Sequence, residues 1–141
     1  MRPVSHVVIS VGTAAFIYSW FSSLWAALIC FLSGILFDID HIPEYLFFRK
    51  GKIGLKDFYY SNLANEKERI YVILHSFELI IFLWTVISVF RLNLFWIVIT
   101  LSFSVHLIFD SFFNPVVTIY TYFLSYRIVK GFRAHHLFKS Y

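Results

Sequence analysis

The chain has 141 residues, of which 60% are hydrophobic and only 14% charged, with a net charge of +4. A soluble domain is about 45–50% apolar and about 25% charged, and a chain this short cannot bury so much apolar surface against itself. The composition excludes an ordinary soluble enzyme and a disordered chain. It leaves a small single-domain integral membrane protein, in which every charge near an apolar run needs a reason. Cys30 is the only cysteine, so the chain can build neither a disulfide framework nor a thiolate metal site.

No charged residue lies between Arg2 and Asp38, a stretch about twice the ~20 residues that cross a bilayer. Ser19-Trp20-Phe21-Ser22-Ser23 near its middle predicts a tight hairpin, with spans over about 4–20 and 23–38. Arg2 and the apolar run after it resemble a signal peptide, but the run is too long for one. A third span is expected over about 68–90, because Asn65-Glu66-Lys67-Glu68-Arg69 supplies a helix cap and early acidic residues. Arg91-Leu92-Asn93 reads as a turn, and a fourth span over about 94–113 stops at Asn114-Pro115, since proline disfavours helix at the residue before it. Residues 116–126 are apolar but short, and read as a re-entrant or interfacial helix leading into a basic tail over 127–141. The expected fold is all-α: one domain over 1–141, an integral membrane four-helix bundle with a short fifth re-entrant or interfacial helix. Four spans put both termini and the 39–67 loop on one side. Arg2, Arg49, Lys50, Lys52, Lys56, Lys67, Arg69, Arg127, Lys130, Arg133 and Lys139 share that side, against Arg91 alone on the other. The positive-inside rule then makes that side cytoplasmic and places the protein in the inner (cytoplasmic) membrane as a multi-pass protein.

The ionisable residues inside or at the mouth of the spans are His6, Asp38, Asp40, His41, His75, Glu78, His106 and Asp110. At about 1.5 Å per helical residue, all of them fall at the same end of the bundle, whereas scattered polar residues would fall at either end. His75 and Glu78 are spaced i, i+3, and His106 and Asp110 i, i+4, so each pair would share a helix face. Imidazole with carboxylate and no thiolate suits Zn²⁺, Mn²⁺ or Fe²⁺. One zinc rarely takes more than about four protein ligands, so eight candidates point to several ions, or to one ion with supporting groups and a general base. Each residue alone has a plainer reading, as interhelical hydrogen-bonding glue or a helix-end carboxylate. The zinc-protease pattern His-Glu-x-x-His is absent. Gly12 and Gly34 read as points of close helix approach, and His135-His136 as surface residues of the tail.

Taken in order, His6, Asp38-Ile39-Asp40-His41, His75-Ser76-x-Glu78 and His106-x-x-x-Asp110 with Pro115 following resemble the LexA-regulated, membrane-bound metal-dependent hydrolase family over about residues 5–115. Phe37 stands where many members carry proline. The family is similar in turn to the zinc phospholipase C and single-strand nuclease group, which implies phosphoester hydrolysis at a zinc cluster of one to three ions. The resulting expectation is a membrane-embedded, metal-dependent hydrolase of a lipid phosphoester. All eight residues are candidate ligands, and Glu78 and Asp40 are the candidate catalytic carboxylates, with Glu78 the general base if it stays free. Zinc is the expected metal, with manganese next. The expected partners are a membrane lipid or lipid-linked substrate and the bilayer, with no nucleic acid. Two rivals use the same residues: a metal-ion transporter or sensor without hydrolysis, and a structural protein whose polar cluster only binds the bundle together.

Overall fold

The computed structural model describes residues 3–48, 69 and 71–137. The first apolar run folds as α1 (Pro3–Phe21) and α2 (Leu24–Leu36), separated by two serines. Ser22 takes a left-handed φ of 49°, and its N–H donates to the Tyr18 carbonyl at 2.9 Å. Ser23 is extended, and its hydroxyl accepts the Ala26 N–H at 3.3 Å, satisfying one of the orphan donors at the start of α2. α2 then tightens into a 3₁₀ turn, Phe37–Asp40, and the chain continues as α3 (His41–Phe48).

A second hairpin joins α4 (Phe77–Phe90) to α5 (Leu94–Phe113). The Ser76 hydroxyl caps α4 through the Leu79 N–H, and Arg91 ends it in the left-handed region. α5 stops at Asn114, which is extended as a residue before proline prefers to be. The chain closes with a 3₁₀ turn, Ile119–Tyr122, then α6 (Leu124–Val129) and α7 (Ala134–Leu137). The regular elements are all helical, and no sheet forms among the described residues.

Among the described residues, three helical stretches are long and apolar enough to cross a membrane: Val4–Phe21, Leu24–Pro43 and Leu94–Phe113. α4 is apolar but shorter. Val8, Trp20, Trp25, Phe82, Phe90 and Phe112 are largely exposed, and an apolar surface of this extent calls for a non-aqueous neighbour. α1 packs on α2, both pack on α5, and α4 packs on α5. Near the α1–α2 turn the interior is filled by Ile17, Ala26, Cys30 and Val98. At the opposite end it is filled by Phe37, Ile80, Leu107 and Tyr122. Between these clusters Gly34 lets α2 close on its neighbours: a Cβ there would lie 2.5 Å from Ser10 Oγ and 3.1 Å from Ser102 Oγ.

Three expectations change. The helix expected from residue 68 begins at Phe77, and residues 71–76 are not helical. Backbone groups there bond outside any helix: the Leu74 N–H donates to Asp40, and the carbonyls of Val72 and His75 accept from Arg127. The helix expected over 116–126 is replaced by an irregular stretch, a 3₁₀ turn and α6. Arg127, expected at the start of the basic tail, is 1% exposed. The basic loop residues Arg49, Lys50, Lys52, Lys56 and Lys67, the cap candidate Asn65, and Arg2 and Lys139 lie outside the described residues.

Candidate metal centre

Five of the eight expected residues meet around one carboxylate. The 3₁₀ turn after α2 presents Asp38, α1 brings His6, α3 opens with His41, the extended segment before α4 brings His75, and α5 brings His106. His75 Nε2 lies 3.0 Å from Asp38 Oδ1, His106 Nε2 3.4 Å from it and His41 Nε2 4.0 Å. His6 Nδ1 lies 3.6 Å from Asp38 Oδ2. The His6 and His106 rings stack with centroids 4.6 Å apart. Phe37, fully buried, packs on both His75 and His106 and gives the cluster an apolar floor.

The hydrogen bonds fix which nitrogens face Asp38. The Gly34 carbonyl only accepts, so the Nδ1 of His106, 2.9 Å from it, must carry the proton there. In the neutral ring its Nε2 then carries the lone pair that can ligate a metal. Asp40 Oδ2 lies 3.4 Å from His75 Nδ1 and acts in the same way, orienting that ring from behind. Asp40 also accepts the Leu74 N–H at 2.9 Å. Metal-binding histidines characteristically give their second N–H to a carbonyl or carboxylate, as these two do.

An imidazole nitrogen that faces a carboxylate needs either a proton of its own or a cation between the two. The Nδ1 of His6 and the Nε2 of His106 are buried and make no hydrogen bond, yet both are aimed at Asp38. The atoms fall into two groups that can each hold a metal ion, His6–Asp38–His106 and Asp38–His41–His75, with Asp38 common to both. The Asp38 side chain keeps 34% of its surface exposed while that of His106 keeps 2%, so the cluster is walled by protein and open on the Asp38 side. Ile39, next to Asp38 in the chain, and Ile42, next to His41, carry exposed apolar surface.

The remaining candidates stand apart from these groups. Both oxygens of Glu78 are engaged with the start of α6: Oε2 accepts the Leu124 N–H at 2.9 Å, and Oε1 the Ser125 N–H at 2.9 Å and hydroxyl at 2.7 Å. It therefore does not stay free as a general base. Asp110 shares the inner face of α5 with His106, but its Oδ2 accepts the Tyr122 hydroxyl at 2.7 Å. Burial and the Asp110 carboxylate beside it hold the Tyr122 phenol well above its ordinary range, so Tyr122 remains a hydrogen-bond donor.

Sequence reasoning missed three contributors. Gly34 acts through its carbonyl, which no side-chain pattern reports. Tyr122 was one aromatic among many. Arg127 did leave a signal, because it stands between Tyr126 and Ile128-Val129 in an otherwise apolar stretch. Comparison with protein-family models, with curated proteins and with solved structures finds no match.

Proposed function

We propose that the protein is a membrane-embedded, metal-dependent hydrolase of a lipid phosphoester, with two divalent ions, zinc in the first instance, held at the His/Asp cluster. The observation that carries this reading is the donor set. Each group offers two imidazoles and one carboxylate, and three protein ligands with a position left over are the pattern of catalytic zinc, whereas structural sites close all four. When bound, such ions supply Lewis acidity and activate water near neutral pH. The chain supplies the rest. Asp38 would be shared by both ions, Asp40 and the Gly34 carbonyl would hold His75 and His106 in the ligating tautomer, and Phe37 would exclude solvent from beneath. Asp40, turned towards His75, is a positioning residue, and Asp110 with Tyr122 supports the cluster from α5.

A lipid substrate fits the opening, because a headgroup can reach Asp38 while Ile39 and Ile42 face the hydrocarbon. The helices would then form a four-helix membrane bundle, with residues 119–129 at the interface and both termini cytoplasmic, in line with the resemblance to the LexA-regulated membrane-bound hydrolases. Transport of the ions is less well supported, because Ile17, Cys30 and Val98, at 0–1% exposure, fill the far end of the bundle where a path would have to continue.

Purified protein is expected to hold stoichiometric zinc or manganese, to lose part of it with His75→Ala or with His106→Ala alone and all of it with the two combined, and to release headgroup from one member of a panel of phospholipids and lipid phosphates. Background metal in the wild type would overturn the reading. Asp40→Asn should leave the fold intact and weaken metal binding about 10–100-fold, the usual effect of removing a partner that orients a histidine ligand. A competitive chelator titration measures it.

A further inference from the structure

Arg127 enters the interior from α6 and ends on the segment that carries His75. One guanidinium nitrogen donates to the Val72 carbonyl and the other to the His75 carbonyl, the latter at 3.0 Å. That segment has no helical hydrogen bonds to fix it, so the placement of His75 rests on Arg127 on one side and Asp40 on the other. α6 is seated in turn by Glu78, which receives the N–H groups of Leu124 and Ser125. The two links cross: the start of α4 holds α6, and α6 holds the chain just before α4. Arginine suits this place, because its planar fork reaches two carbonyls at once and a lysine ammonium does not present that geometry.

We propose that Arg127 is a positioning residue that builds one half of the metal centre, Asp38–His41–His75, and leaves the other half, His6–Asp38–His106, to the long helices. This rests on the metal-binding reading above. His6 and His106 stand on α1 and α5, which pack against each other and against α2 without α6. The C-terminal segment is therefore part of the site, although none of its described side chains belongs to either ligand group.

The test is zinc titration of the full-length protein in detergent, with Arg127→Lys introduced into two backgrounds that each keep one half. In His106→Ala the remaining ion depends on His75, and Arg127→Lys is expected to weaken its binding by about tenfold or more, the scale of loss for an orienting partner. In His41→Ala the remaining ion depends on His6 and His106, and its affinity should change less than about twofold, as for a substitution that does not touch that site. Equal losses in both backgrounds would mean a general weakening of the fold and would overturn the proposal, as would no loss in either. If Arg127→Lys does not fold, Glu78→Gln, which loosens the seat of α6, must show the same selectivity. Absence of zinc from the wild type is a separate result, and it would overturn the metal reading itself.

Discussion

Asp38→Ala is expected to abolish metal binding in both halves of the centre and to lower hydrolysis by about 10³-fold or more, because Lewis-acid stabilisation is worth several kcal/mol and each 1.36 kcal/mol is tenfold in rate. No other single substitution should do both. His6 and His106 serve one group and His41 and His75 the other, whereas Asp38 belongs to each. Its Oδ1 faces His41, His75 and His106 and so touches both groups, while Oδ2 faces His6. The effect should therefore be non-additive: Asp38→Ala alone should match His75→Ala combined with His106→Ala. Metal analysis of the wild type, Asp38→Ala and the double variant decides it, and wild-type metal content in Asp38→Ala would refute the shared-carboxylate arrangement.

The second large effect is expected from Gly34→Ala, a change that adds only a methyl group. Its Cβ would stand 2.5 Å from Ser10 Oγ, 3.1 Å from Ser102 Oγ and 3.2 Å from Ser10 Cβ. Ser10 would have to turn its hydroxyl away and both neighbours give by a few tenths of an ångström, and overpacking of this kind costs typically about 1–3 kcal/mol. The damage should reach the metal centre, because the Gly34 carbonyl holds His106 Nδ1 at 2.9 Å and moves with α2. Ser10→Gly in the same chain removes both Ser10 clashes and leaves only the Ser102 contact. It should restore most of the lost stability and metal affinity, measured by thermal melting and zinc titration. Full stability in Gly34→Ala alone would mean that the helices do not approach as closely as described.

The scarcity of charge made most of the site legible in the sequence. In apolar runs His6, Asp38, His41, His75 and His106 had no competitors, and spacing along the helices placed them at one end. The misreading of Glu78 has a definite cause. The i, i+3 argument assumes a helix through 75–78, but His75 lies before the Ser76 cap, so helical spacing says nothing about which way the two side chains face. Asp110 illustrates a different limit. Its i, i+4 relation to His106 does lie on one helix, yet the Tyr122 hydroxyl, twelve residues on, takes the carboxylate. That contact depends on how the chain folds back after Pro115, which helical periodicity does not describe. The helices themselves were readable because apolar length and turn chemistry agree at Ser22-Ser23, Arg91-Leu92-Asn93 and Asn114-Pro115. The 71–76 segment was not, because its backbone is satisfied by Asp40 and Arg127 from far along the chain.

The shortness of α4 bears on the lipids around it. Its fourteen residues rise only about 21 Å at ~1.5 Å each, against a hydrocarbon layer of about 30 Å. In a bilayer such a mismatch is relieved by local thinning of the membrane. The deficit falls where His75 replaces what would have been further turns of helix, so the thinned patch would lie beside the cluster. For the lipid hydrolase proposed above, headgroups there would sink below their usual level, and a phosphoester would come within reach of the cluster without the lipid being lifted from its leaflet.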